Sequence, residues 1–165
     1  MSQEIERKYL LGLPAAEVLA LPGVTVQATE YIYQTYLAYT NEQEIRIRKK
    51  VGRQGKERYT HTFKAGQGMA REEIEYEISG EIYEQLLQRT GVIPLEKIRT
   101  TLTDGSGRSY EIDEYKQVEL AVVEVEFASL EEAQAFAPPA WFGRELGAEE
   151  EFRNKTLWLK LQSQS

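Results

Sequence analysis

The sequence has no cysteine, which excludes disulfides, a thiol nucleophile and cysteine-ligated zinc. Its single histidine, His61, has no nucleophile motif beside it, so a Ser-His-Asp triad is not expected and we interpret the residue as structural. No apolar run approaches the ~18 residues that a membrane span requires. Glutamates near the N-terminus stand where a signal peptide needs basic and apolar segments. We therefore expect a cytoplasmic protein without membrane contact.

Positive charge is in the minority, with 20 Lys and Arg against 27 Asp and Glu and a formal net charge of -7. Proteins that bind nucleic acids usually present a basic surface, so this balance argues against a nucleic-acid partner. The cations are nevertheless concentrated in one stretch, residues 46–56, "RIRKKVGRQGK". A cluster of cations in an acidic protein predicts a local site for a small anion.

Strand patterns dominate the chain. Segments that alternate in polarity or are rich in β-branched and aromatic residues predict strands at 2–11, 25–39, 43–52, 57–65, 70–79, 94–103, 107–115 and 118–128. Helices are predicted at 14–20, 80–90, 129–136 and 148–161. We predict a mainly β fold of the α+β class, as a single domain over residues 1–161 with a frayed tail at 162–165. Hairpin-linked strands of this number form an antiparallel sheet that is able to close into a barrel.

Charged residues occupy every second position of several predicted strands, as in Glu4, Glu6 and Lys8. An antiparallel sheet with one face in water has this alternation, so an ordinary β-domain with charged outer faces is one interpretation. In the other, the charged faces point into a closed barrel, which has room for one small ligand. Buried charges are costly unless they are paired or bind ions. A polyphosphate would neutralise the cations, and divalent metals would neutralise the carboxylates.

The charged strands, taken in order, resemble one protein family. "EIERKYL" resembles the E-x-E-x-K signature of the CYTH superfamily, also called triphosphate tunnel metalloenzymes. The later strands of that family resemble "EIRIRK", "THTFK", "REEIEYEI", "KIRTTL", "YEIDEY" and "AVVEVEF". "EEEFRNKTLW" resembles its closing Y-x-N-x-x-L segment, with Phe152 in place of the usual tyrosine. The resemblance extends from residue 4 to about residue 158 and is to the short, single-domain bacterial members.

The resemblance implies a fold and three groups of site residues. The fold would be an eight-stranded antiparallel closed β-barrel, forming a triphosphate tunnel, with helices packed outside. The implied metal ligands are Glu4, Glu6, Asp113, Glu124 and Glu126. The implied phosphate-binding residues are Lys8, Arg46, Arg48, Lys64, Arg71, Lys97, Arg99 and Arg153. The catalytic candidates are Glu73, Glu75 and Lys8, and the sequence does not identify which group is the base.

The activity implied by the resemblance is metal-dependent hydrolysis of a triphosphate, most often inorganic triphosphate to pyrophosphate and phosphate. Mg²⁺ or Mn²⁺ would be the cofactor, and activated water would attack a terminal phosphorus in line. Three alternatives stay open: a class IV adenylyl cyclase, a thiamine triphosphatase, and a non-catalytic polyphosphate- or nucleotide-binding module. The sequence does not distinguish a monomer from a homodimer.

Overall fold

A computed structural model describes residues 2–147 and 149–163. The strands within these residues are β1 (Ser2–Leu11), β2 (Thr25–Tyr39), β3 (Gln43–Gly52), β4 (Glu57–Ala65), β5 (Ala70–Glu77), β6 (Leu95–Thr103), β7 (Ser109–Tyr115), β8 (Ala121–Glu126) and β9 (Phe142–Glu145). The helices are α1 (Ala15–Leu19), α2 (Gly80–Thr90), α3 (Leu130–Ala135) and α4 (Asn154–Ser163), and a 3₁₀ turn (Glu150–Phe152) precedes α4.

Eight of the strands close into an antiparallel barrel. Their order is β5-β4-β3-β2-β6-β7-β8-β1, and β1 pairs with β5 to complete the ring. Glu4 of β1 lies opposite Arg71 of β5, while Glu6 lies opposite Glu126 of β8. β9 is an additional strand that pairs with the end of β1, where Leu11 lies opposite Phe142. The prediction of a mainly β, closed, eight-stranded barrel is confirmed.

The observed elements differ from the predicted ones near the C-terminus. β9 lies outside the predicted strands because its four residues, FGRE, include no β-branched side chain. α4 begins at Asn154 rather than at 148, because the 3₁₀ turn occupies the intervening chain. It continues to Ser163, into the segment predicted as a tail, while residues 164 and 165 lie outside the described residues.

The apolar side chains form two clusters, which lie on opposite faces of the barrel wall because neighbouring residues of a strand point to opposite faces. One cluster includes Val123 and Val125 of β8 and is covered by Val18 of α1 and Ala133 of α3. These two helices therefore pack on the outside of the barrel.

The second apolar cluster lies inside one end of the barrel. Leu157 and Trp158 of α4 pack there against Tyr36, Leu95 and Val122, which belong to three different strands. The ring centroids of Tyr36 and Trp158 are 5.5 Å apart. α4 therefore fills this end of the barrel and leaves the charged residues in the remaining interior.

The helix boundaries follow from capping. The Ser79 hydroxyl accepts a hydrogen bond from the Ile82 amide at the start of α2, and the Ser129 hydroxyl accepts one from the Glu132 amide at the start of α3. α2 ends at Gly91, whose φ of 61° is a left-handed conformation that favours glycine. Within the described residues, no helix combines the length and apolar character that crossing a membrane requires.

Candidate active site

An inner cavity of about 170 Å³ lies in the barrel, and its lining is charged except for one asparagine. It brings together most of the residues predicted from the sequence. These are Glu4, Glu6, Arg46, Arg48, Lys64, Glu73, Glu75, Lys97, Arg99, Glu124 and Glu126. Their convergence follows from the closed barrel, because the charged alternate positions of its strands share one interior.

An outer cavity of about 220 Å³ adjoins the inner one beside α4. Arg46 and Lys64 line both cavities, so the two are adjacent. The outer cavity contains the other predicted phosphate-binding residues, Lys8, Arg71 and Arg153. At its far side the inner cavity meets a cleft that is lined by Glu111, Glu124 and Glu126. The charged residues that line the outer cavity beside α4 are therefore mainly cations, whereas carboxylates line the junction of the inner cavity with the opposite cleft.

Three carboxylates form a compact group at the acidic side of the inner cavity. Ligand oxygens of Glu4, Glu6 and Glu126 all lie within 4.8 Å of one another. Burial raises the pKa of Glu6 well above its ordinary value, and the negative charges of Glu124 and Glu4 raise it further. Burial also raises the pKa of Glu126, with the neighbouring carboxylates adding to the effect. The group therefore carries mutual repulsion that a divalent cation would relieve.

Lys64 and Arg48 connect the carboxylates to the cationic side of the cavity. The Lys64 ammonium lies 2.8 Å from a Glu4 oxygen and 3.5 Å from a Glu73 oxygen. Although burial raises the pKa of Glu4, the charge of Lys64 and nearby hydrogen bonds outweigh burial and hold it well below its ordinary value. Glu75 accepts hydrogen bonds from Arg48 at 3.1 Å and from the Thr62 hydroxyl at 2.6 Å. Glu4 and Glu75 are thus held as ionised acceptors.

Several buried guanidinium nitrogens have no hydrogen-bond partner among the described residues. They are the Nε atoms of Arg46, Arg48 and Arg71. Buried donors in folded proteins are almost always satisfied by protein, water or a ligand. Arginine forms strong, charge-assisted hydrogen bonds to phosphate oxygens. These three donors are therefore suited to an anion between them.

Asp113 differs from the other predicted metal ligands in its burial and in its partners. Its side chain is fully buried, and it lines neither cavity. One oxygen accepts a hydrogen bond from Arg99 Nε at 2.7 Å, and the other lies 2.8 Å from both Arg99 Nη2 and the Lys97 ammonium. Burial raises the pKa of this carboxyl, but the two cations outweigh burial and lower it. The structure therefore places Asp113 as the counter-ion of Arg99 and Lys97.

Two charged residues that line the inner cavity were missed by the sequence analysis. Lys50 lies two residues beyond Arg48 on β3, and Glu111 lies two residues before Asp113 on β7. Glu111 also accepts a hydrogen bond from Arg99 at 2.9 Å. Period-two alternation places both residues on the inward face of their strands, so the signal was present in the sequence.

The closing segment borders the outer cavity. The Lys8 ammonium donates a hydrogen bond to the Phe152 carbonyl at 2.8 Å. The buried Lys155 donates one to the Thr40 carbonyl at 3.0 Å, and Tyr115 donates one to the Asn154 side chain. The bonds of Lys155 and Asn154 fix α4 against the end of the barrel. The bond of Lys8 places this predicted phosphate-binding residue where β1 meets the closing segment.

His61 lies outside both cavities. It lies on β4 opposite Ile47 of β3, and its ring centroid is 5.0 Å from that of Tyr76. Its neighbours Thr60 and Thr62 are buried on the other face of β4. The location agrees with the interpretation of His61 as a structural residue.

The sequence profile of the CYTH domain matches residues 2–155, nearly the whole chain. The chain belongs to the CYTH family. An inorganic triphosphatase from Nitrosomonas europaea is 36% identical to this CYTH chain over 162 residues, which cover 96% of the chain and 98% of the relative. One from Acetivibrio thermocellus is 28% identical, covering 95% and 94%. A crystal structure of an inorganic triphosphatase superimposes with a TM-score of 0.63 at 33% identity, covering 96% of each chain.

The CYTH barrel contains a donor set that suits a hard divalent cation. Mg²⁺ and Mn²⁺ prefer oxygen ligands, and the Glu4, Glu6 and Glu126 group offers three carboxylates at close range. Glu124 lies beside this group and lines both cavities. Asp113 is not one of these three carboxylates, and both of its oxygens contact cations.

Proposed function

We propose that this CYTH protein hydrolyses inorganic triphosphate to pyrophosphate and phosphate, with Mg²⁺ or Mn²⁺ as cofactor. One observation carries the proposal: a group of three carboxylates and a set of buried arginine donors lie together inside one closed barrel. The arginine Nε donors have no hydrogen-bond partner among the described residues. Anion binding alone would not need the carboxylates, and metal binding alone would not need the arginines. The similarity to inorganic triphosphatases supports the same substrate.

The cations of the cavity would bind the phosphate chain. Arg46 and Lys64 line both cavities, so they are in position to bind phosphates along the axis of the barrel. Lys8, Arg71 and Arg153 would bind the end nearest α4. Arg99 and Lys97 are held in place by Asp113, so they stabilise negative charge that develops on the leaving group without having to move.

Glu4, Glu6 and Glu126, with Glu124 beside them, would hold the metal ion. Bound there, Mg²⁺ or Mn²⁺ supplies positive charge to phosphate oxygens and makes a coordinated water more acidic. The ionised Glu4 would also remain paired with Lys64, which orients it toward the cavity. The substrate would be a small molecule, and no nucleic-acid partner is part of the proposal.

Glu73 is the best suited of the three predicted catalytic candidates to accept a proton from the attacking water. Burial raises the pKa of Glu73 to about 7, and its interactions with Glu4 contribute in the same direction. A base works best when its pKa lies near the working pH. Glu75 is held by Thr62 and Arg48, which outweigh the effect of burial and lower its pKa. We assign Glu75 and Lys8 to positioning and binding.

We expect phosphate release from inorganic triphosphate in Mg²⁺ or Mn²⁺ to exceed release in EDTA by at least ~100-fold, because charge stabilisation by a metal contributes several kcal/mol. A colorimetric phosphate assay measures this, with ATP and thiamine triphosphate as parallel substrates. Chromatography of the ATP reaction separates ADP with phosphate from cyclic AMP with pyrophosphate. Formation of cyclic AMP would establish a cyclase instead. Triphosphate binding without turnover of any substrate would establish a binding module.

A further inference from the structure

One face of β3 carries a row of three cations. Arg46, Arg48 and Lys50 occupy alternate positions, so their side chains point to the same side of the strand. At the rise of a β-strand, the row is ~13 Å long between its first and last Cα atoms. Arg46 lines both cavities, whereas Arg48 and Lys50 line only the inner one. The row therefore leads from the α4 end toward the inner cavity, and Lys50 is its last member.

Lys50 differs from Arg48 and Arg99, which both have a counter-ion. Arg48 pairs with Glu75 at 3.1 Å, and Arg99 pairs with Asp113 at 2.7 Å. The Lys50 ammonium forms no ion pair or hydrogen bond with any residue that the structure describes. The negative charge of Glu30 favours the charged form of Lys50, but Glu30 is itself bonded to Arg58 at 2.8 Å.

The surroundings of Lys50 oppose its positive charge. Burial lowers its pKa to about 8, and the charges of Arg48 and Arg99 act in the same direction. A protein that used this position only for stability would gain from a neutral side chain, because an unpaired, partly buried ammonium beside two guanidinium groups is unfavourable. An anionic ligand in the inner cavity would make the charged form of Lys50 favourable.

We propose that Lys50 is a further phosphate-binding residue, which holds the terminal phosphate group at the inner end of the polyphosphate chain. The inference rests on the proposed function, since it takes triphosphate as the ligand. Arg46 and Lys64 are placed to bind the phosphates nearer α4, and Lys50 adds a charge that only a chain reaching the inner cavity contacts. Lys50 thereby favours triphosphate over the shorter pyrophosphate.

Lys49 provides a matched control on the same strand. It is the adjacent lysine, and it points to the outer face, where its ammonium lies 3.5 Å from Glu57 and 5.6 Å from the centroid of the Tyr33 ring. Lys49→Gln and Lys50→Gln remove the same charge from the protein as a whole. A difference between the two variants therefore reports the location of the charge and not the net charge.

The test is calorimetric titration of inorganic triphosphate and of pyrophosphate into the full chain in EDTA, so that turnover plays no part. For Lys50→Gln we expect a Kd for triphosphate at least ~10-fold higher, and a smaller change for pyrophosphate, because a buried charge–phosphate contact is lost. Lys50→Arg should stay within ~3-fold of the original chain, and Lys49→Gln within ~2-fold. An unchanged Kd in Lys50→Gln, or equal losses for the two ligands, would overturn the proposal.

Thermal unfolding of the same variants separates binding from structure. Lys50→Gln should melt at the same temperature as the original chain or a few degrees higher without ligand, because it removes an unpaired charge. A lower melting temperature would show a structural role and contradict the inference. Failure of the proposed function would be a different result. The original chain would bind triphosphate and Lys50→Gln would raise the Kd, yet the original chain would release no phosphate with either metal.

Discussion

Replacing Glu126 with glutamine is expected to lower kcat/KM for metal-dependent triphosphate hydrolysis by ~10²–10³-fold, the size of effect seen when one charge-stabilising group is removed from an active site. Glu126 contributes one of three carboxylates whose oxygens lie within 4.8 Å. An amide has no negative charge to offer a divalent cation, so the metal affinity falls as well. Steady-state kinetics over a range of Mg²⁺ concentrations measures both effects.

Glu126 is an informative position because its side chain is only partly buried, so shortening or neutralising it leaves no cavity in the core. Without metal, Glu126→Gln should be at least as stable as the original chain, since burial and the charges of Glu111, Glu4 and Glu124 raise the pKa of its carboxyl. Glu72→Gln is the control, as Glu72 is an exposed glutamate beside the site that lines neither cavity. Normal Mg²⁺-dependent activity in Glu126→Gln would exclude this carboxylate from the metal site.

Replacing Asp113 with asparagine is expected to destabilise the protein by ~3–5 kcal/mol, because it leaves two buried cations without their counter-ion. Asp113, Lys97 and Arg99 are all buried, and the carboxylate contacts both cations at 2.7 to 2.8 Å. Burial lowers the pKa of Lys97 to about 8 even though Asp113 favours its charged form. Without Asp113, Lys97 would have to lose its proton or remain charged in the interior. Urea unfolding measures the change in stability.

The Asp113 prediction also separates two roles for this residue. If Asp113 is a counter-ion, Asp113→Asn loses stability in the absence of metal, and triphosphate restores part of it by neutralising Lys97 and Arg99. If Asp113 is a metal ligand, the variant keeps its stability in EDTA and loses affinity for Mg²⁺. Glu114→Gln is the matched control, because Glu114 is the exposed neighbour on β7. A loss below ~1 kcal/mol in Asp113→Asn would contradict the counter-ion role.

Much of the fold was predictable because alternation is a local property. The pattern of β3 predicts a strand at 43–52, which is its observed extent, and the glycine after α2 predicts the end of that helix. Alternation does not say which face is buried, since charges outside an ordinary sheet and charges inside a barrel have the same period. The resemblance to the CYTH family indicated that the charged faces point into the barrel. β9 was not predictable, because its position depends on pairing with Leu11 and not on its own composition.

The site residues also show that alternation predicts the face of a strand but not the contacts of each side chain. Asp113 and Glu111 share the inward face of β7, yet Glu111 lines the inner cavity and Asp113 is enclosed by Lys97 and Arg99. Which inward carboxylate meets a cation depends on the stagger between strands, and that stagger is a property of the closed barrel. In contrast, Lys50 could have been included from the sequence, because it continues the spacing of Arg46 and Arg48.

The pairing of β1 has a consequence for how the chain reaches its native state. β1 is made first, but Ile5 pairs with Ala70, Glu6 with Glu126, and Leu11 with Phe142. At ~5–20 residues per second, the ribosome needs ~6–24 s to reach the β8 partner after making β1. Throughout that interval the part of β1 from Glu6 to Leu10 lacks its β8 partner. Charges at alternate positions, Glu4, Glu6 and Lys8, disfavour pairing with other nascent chains. We therefore expect these residues, which line the two cavities, also to reduce aggregation during synthesis.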